Sequence, residues 1–275
     1  ARHRAARASG ATACAARTRR ARGAGFRGAA ASRRARGARM PPTLWTHTLC
    51  PYAHRVSLAL CEKGLRPRAF QRHVDLSDKP KDLFRVNPRG LVPALEREDG
   101  EIVTESSRII VVVDERFGER RSLTRGPRDE ILEFARDADA AGGGFVSSGL
   151  SFVGGGWGIR RGMPRQGQVE TFQRSVRALD DRLRGSEGNY LFGADVSLAD
   201  ISIWPFAERF QLAMREFQGY DIAEGAEYFA AWLTAMSARD SVRSLRPDDE
   251  ALLRSWRRTM RLDYFDYETA SRESP

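Results

Sequence analysis

The sequence predicts two unlike halves, a small mixed α/β unit followed by an all-helical one. Three observations carry this. Short apolar runs alternate with helical runs between Leu44 and Phe117. Strand signals vanish beyond Pro127, and from Val169 onward apolar residues recur at helical spacing.

The apolar run Leu44–Leu49 lies between Pro42 and Pro51 and predicts a buried strand. Pro51 suits the first turn of a helix, where its missing N–H is not needed, and Gly64 suits the helix end. The run "PRAFQRHVDL" has strand character up to Leu76, and a short helix over Lys81–Val86 stops at Asn87-Pro88. Val92–Glu96 and Glu101–Val103 flank Asp99-Gly100 as a hairpin, and a helix is expected from Ser106 to Phe117. The order β-α-β-α-β-β-α is that of a thioredoxin-like unit, and its β-α-β start implies a right-handed crossover.

Residues 118–127 are charged, contain Gly126-Pro127 and predict a linker. Helices are then expected through Val169–Leu183, from the "SLAD" capping box at Ser197–Asp200, through Tyr228–Met236 and, more weakly, over Asp248–Arg258. The stretch 142–167 has ten glycines, matches no phosphate loop and predicts a flexible insertion. The resulting division is a leader over 1–39, an α/β domain over 40–118, a helical domain over 128–260 and a tail over 261–275.

The 275-residue chain has a formal net charge of +10, which suggests nucleic acid until it is located. Residues 1–39 hold twelve arginines and no Asp or Glu, leaving 34 basic against 36 acidic residues elsewhere. The basicity belongs to the leader, so nucleic-acid binding is not expected of the body. An acid-free Ala/Arg leader without an apolar core excludes a secretory signal and fits a transit peptide to the chloroplast or another organelle. Two other readings stay open: a disordered basic arm, or a true start at Met40 with a cytoplasmic protein. No apolar run is long enough to span a membrane. Cys50 and Cys61, outside the leader, make neither a disulfide framework nor a zinc spacing, and no metal is expected.

Cys50 stands where the first strand meets the first helix. A thiol there sits at the positive end of the helix dipole, beside unpaired N–H groups that favour the thiolate. A free cysteine with a pKa of about 8.5 is only about 3% thiolate at pH 7, and one near 6 is about 90% thiolate. The thiolate is the nucleophile, so position makes Cys50 the candidate catalytic residue. Cys61 lies inside the helix and reads as core filling. His54 and Arg55 read as solvated helix residues that could add positive field.

The motifs "CPYAHR", "NPRGLVPAL" and "ESSRI", in this order and spacing, resemble the cytosolic glutathione transferase superfamily. The Cys-Pro form resembles its omega, lambda and dehydroascorbate reductase classes, and "YLFGADVSLADISIWPFAERFQ" with the "RPDDEALL" tail is most similar to the lambda class. The resemblance covers about residues 43–255. It implies a thioredoxin-like glutathione-binding domain and an all-α domain, with glutathione as co-substrate and no metal. It further implies that Cys50 forms a mixed disulfide with glutathione, and that Val92, before a cis Pro93, pairs its backbone with the cysteinyl part. Ser106 would receive the γ-glutamyl carboxylate, Glu105 the ammonium and Lys79 the glycyl carboxylate. A monomeric thiol transferase acting on glutathionylated small molecules or proteins follows, with dehydroascorbate reduction as a side activity. The alternative is a non-catalytic carrier or scaffold that binds aromatic metabolites or protein partners, with Trp204, Phe206 and Phe210 facing a groove.

Overall fold

A computed structural model describes residues 42–262 except 77, 118–121, 142 and 156–157. The expectations for the leader and for most of the tail lie outside these residues. Four short strands, β1 (Thr43–Thr46), β2 (Gln71–His73), β3 (Ala94–Glu96) and β4 (Ile102–Thr104), form one sheet in the order β2-β1-β3-β4. β1 runs parallel to β2 with Leu44 opposite Gln71, and antiparallel to β3 with Trp45 opposite Ala94. Ala94 of β3 in turn faces Thr104 of β4.

Alternation along the strands sends neighbouring side chains to opposite faces. Trp45 and Ala94 join Leu83 and Val86 of α2 (Lys81–Val86) on one face. Leu44, Leu95 and Val103 join α1 (Pro51–Glu62) and α3 (Ser106–Arg116) on the other. Chain order and layering are those of the thioredoxin-like unit expected from the sequence.

The first strand is shorter than expected because the chain leaves the ladder after Thr46. Cys50 N–H donates to His47 O at 3.1 Å, and Leu49 N–H to His47 Nδ1 at 3.2 Å, so residues 47–50 make a turn. The predicted second strand likewise divides, with a 3-10 turn at Pro67–Ala69 before β2.

The helical half comprises α4 (Arg128–Asp137), α5 (Phe145–Val153), α6 (Gln166–Arg184), α7 (Leu198–Gln218), α8 (Glu227–Ser237), α9 (Asp240–Leu245) and α10 (Asp249–Thr259). α7 is its axis, packing against α1, α4 and α5. Its start is fixed as the sequence predicts. Asp200 accepts from Ser197 N–H and Oγ–H, and its other oxygen accepts from Leu191 N–H and Trp232 Nε1–H at 2.9 and 2.8 Å.

The glycine-rich stretch differs from expectation. Residues 145–153 within it form α5, and a Cβ on Gly149 would lie 2.1 Å from the Phe210 ring. That glycine therefore provides close helix packing rather than freedom. The expected linker is also tethered where it is described. Leu123 N–H donates to Asp114 at 2.7 Å, and its carbonyl accepts from Leu198 N–H at 2.9 Å.

Candidate active site

Cys50 is the N-cap of α1, in an extended conformation, with Pro51 as the first helical residue. Its carbonyl accepts from His54 N–H at 3.0 Å, so the helix begins on the cysteine itself. The side chain is half-buried, and Sγ–H donates to the Val92 carbonyl at 3.7 Å. The Val92–Pro93 peptide is cis.

The loop between α2 and β3 is the common neighbour of the other candidates. Arg89 pairs with Glu105. Gly90, at φ +62°, lies against the stem of Lys79, whose Cδ would stand 3.4 Å from a Cβ there. Val92, two residues on, meets Cys50. Glu105 holds φ +69°, a left-handed conformation unusual for glutamate and costing about 1–3 kcal/mol. Its carbonyl accepts the first two α3 bonds, from Arg108 and Ile109. Ser106 opens α3, is buried, and its Oγ accepts from Arg55 Nη1 at 3.3 Å, which leaves the hydroxyl hydrogen available.

His54 and Arg55 are both buried, which corrects the expectation of solvated residues. The correction comes from the neighbouring helices, which α1 presents both side chains to. Arg55 donates to Ser202 O at 2.8 Å and forks onto Asp139 at 2.6 and 2.8 Å. It also lies over the rings of Phe206 and Tyr52. Arg55 thus ties α1 to α3, α7 and the end of α4, and serves the fold rather than the sulfur.

Sequence reasoning missed Arg209. This α7 residue is fully buried and donates to Leu49 O at 3.3 Å, Pro205 O at 2.7 Å and His54 Nδ1 at 3.3 Å. Its nearest carboxylate, Glu208, stands 3.8 Å away, beyond hydrogen-bond reach. Burial pulls the guanidinium below its usual range, and the Glu208 and Cys50 side chains push back. A guanidinium has only donors, so His54 Nδ1 must be an acceptor and the imidazole neutral. Burial, then Arg209, hold the His54 pKa well below its ordinary value, in agreement. The arrangement places a buried cation behind the thiol of the N-cap residue. The signal in the sequence was only an arginine set between the apolar residues Phe206, Ala207 and Phe210.

Cys61 is half-buried, and burial pushes its thiol pKa up, away from reactivity. Trp204, Phe206 and Phe210 are all core residues. Among the described residues no cluster of His, Cys, Asp or Glu could hold a metal, and no helix is long and apolar enough to cross a membrane.

A thioredoxin-like unit with a capping cysteine beside a cis-proline loop, followed by an all-α half, is the architecture of a protein class that handles glutathione. Residues 49–116 match the glutathione S-transferase N-terminal domain family and residues 133–235 the C-terminal domain family. The chain belongs to the glutathione transferase superfamily and, by its relatives, to the cysteine-type branch of it. It is 29% identical to glutathione S-transferase L1 of Arabidopsis thaliana over 233 residues, which covers 80% of this chain and 91% of the relative. It is 26% identical to a probable cytosolic glutathione S-transferase DHAR1 of Oryza sativa subsp. japonica, over 75% of this chain and 88% of that one. The crystal structure of glutathione transferase Omega 3C from Trametes versicolor shares the fold, with a TM-score of 0.64, 24% identity, and coverage of 80% of this chain and 93% of that chain. These relatives make the chain a glutathione-dependent transferase-type enzyme.

Proposed function

We propose that the chain is a thiol transferase of the lambda-like type, working through a covalent Cys50–glutathione disulfide. The observation that carries this reading is the Cys50 environment, a helix N-terminus in front and the Arg209 guanidinium behind. Both favour the thiolate. Cys50–S⁻ attacks the glutathione sulfur of a mixed disulfide R–S–S–G. The S–S bond breaks, R–S⁻ leaves and takes up a proton, and Cys50–S–S–G remains. A second glutathione thiolate attacks this disulfide, releasing oxidised glutathione and restoring Cys50–S⁻.

In the same reading, Val92 offers its backbone N–H and C=O to the cysteinyl part of glutathione as an added strand would. The Ser106 hydroxyl and the α3 N-terminus take the γ-glutamyl carboxylate, Glu105 the ammonium and Lys79 the glycyl carboxylate. Arg89 already pairs with Glu105, so binding of the ammonium would compete with that pair. Reduction of dehydroascorbate is a side activity in this scheme, with two glutathiones supplying the electrons. The carrier alternative draws no support from Trp204, Phe206 and Phe210, whose rings are consumed by packing.

The test is turnover of the mixed disulfide of glutathione and a small thiol. Cys50→Ser should abolish it, and mass spectrometry of the native chain after exposure to oxidised glutathione should find one glutathione on Cys50. A loss smaller than about tenfold in the serine variant would count against covalent catalysis.

A further inference from the structure

The buried Arg209 cation has a carboxylate close by and does not bond to it. Both hydrogens on its Nη1 are committed, one to Pro205 O at 2.7 Å and one to His54 Nδ1 at 3.3 Å. Nη2 donates to Leu49 O at 3.3 Å, which brings the guanidinium up to the turn that carries Cys50. Glu208 Oε2 stands 3.8 Å from Arg209 Nη1 and 3.8 Å from His54 Nδ1, buried and without a hydrogen-bond partner.

A buried charge is costly unless an opposite charge pairs with it, so Glu208 is the partner expected of Arg209. The hydrogen that could serve it goes to a neutral imidazole instead. His54 can accept that hydrogen because burial, and then Arg209, keep its ring uncharged. The ring is placed from the first turn of α1, where His54 N–H donates to Cys50 O at 3.0 Å. Glu208 stays outside this bonding. Burial raises its pKa, and its other oxygen lies 3.8 Å from Arg246 Nε, whose Nη2 is held by Asp249 at 2.6 Å. Arg68, His47 and His73 share a cavity wall with His54.

We propose that His54 is a positioning residue for the cysteine chemistry: by taking the Nη1 hydrogen it keeps Arg209 from closing on Glu208, so the guanidinium stays turned to the Cys50 turn with its charge uncancelled. Without that acceptor the freed hydrogen has Glu208 Oε2 as an unused acceptor 3.8 Å away. A closed Arg209–Glu208 pair would hold Glu208 ionised and cancel much of the positive field at the sulfur. Because this role rests on the reading that Arg209 favours the Cys50 thiolate, its test reads the thiol directly rather than turnover.

The experiment follows iodoacetamide alkylation of Cys50 against pH in the full chain, read on the Cys50 peptide by mass spectrometry, with melting temperature as the fold control. His54→Leu should move the midpoint to more alkaline pH and slow alkylation at neutral pH about threefold or more. His54→Asn, whose amide oxygen can accept the same hydrogen, should stay within about twofold of the native rate. Glu208→Gln should move the midpoint to lower pH, and by more in the His54→Leu background than in the native one, because only there does the pair close. In the native chain, nitrogen NMR of the His54 ring should find Nδ1 without a hydrogen. The role is overturned if His54→Leu leaves the midpoint where it is, or if His54→Asn shifts it as far as His54→Leu does. It is equally overturned if Glu208→Gln acts alike in both backgrounds. A protonated Nδ1 overturns it whether or not His54→Leu folds. If Arg209→Met also leaves the midpoint unmoved, the reading of Arg209 falls too. If Arg209→Met moves the midpoint and His54→Leu does not, only the role of His54 falls.

Discussion

Replacing Arg209 by methionine keeps an apolar stem in the helix interface and removes the guanidinium charge. The guanidinium lies 3.3 Å from the carbonyl of Leu49, the residue before Cys50, and has no hydrogen-bonded carboxylate to neutralise it. Taking the sulfur at about 5–8 Å and an effective dielectric of about 20, the attraction to a thiolate is worth about 2–3 kcal/mol. Part of that is offset because Glu208, itself pushed toward the neutral form by burial, still carries some opposing charge. A net effect of about 1.4 kcal/mol or more corresponds to about tenfold or more in the thiolate-to-thiol ratio. The assay is the rate of iodoacetamide alkylation of Cys50 against pH. Arg209→Met should move the alkylation midpoint to more alkaline pH and slow the reaction at neutral pH about tenfold, and Arg209→Lys should recover much of the loss. A merely structural arginine would change melting temperature and leave the midpoint alone. An unmoved midpoint in a folded Arg209→Met protein would refute the electrostatic role.

Two further predictions concern the scaffold. Gly149→Ala forces a methyl to 2.1 Å from a fully buried Phe210 ring that is hemmed in by Phe145, Phe172 and Phe206. It should cost about 1–3 kcal/mol, seen as a fall of roughly 3–10 °C in melting temperature, and a fall under about 1 °C would contradict the packing. Asp114 is buried, which raises its pKa, but hydrogen bonds from Leu123 N–H, Ser122 and Lys63 outweigh burial and hold it below the ordinary 3.8. A carboxylate lowered on folding stabilises the protein above its unfolded pKa and loses that contribution as pH falls through the folded one. The stability difference between the native chain and Asp114→Asn, measured by urea unfolding, should therefore be largest above about pH 4 and shrink below it. A difference constant from pH 7 to pH 3 would rule out the linkage.

The elements that local rules mark were legible in the sequence. Lys81–Val86 is a helix with the expected bounds, Pro51 and Gly64 bracket α1, and the Ser197–Asp200 box starts α7. Each depends on contacts within a few residues, which the sequence writes directly. The shortened β1 and the helix α5 escaped for the opposite reason. The 47–50 turn competes with the strand, and α5 exists because Gly149 lets it approach Phe210, sixty-one positions away in the chain.

The candidate site divides along the same line. Amino-acid order alone put a thiol on the first turn of a helix and a valine before proline, since capping is a property of adjacent residues. Whether Arg55 and His54 face water or protein was decided by α7 and by Asp139 at the end of α4, distant segments brought against α1. The cation behind Cys50 comes from residue 209. Burial and electrostatic pairing are properties of the space around a group, and that space is filled only when remote helices pack.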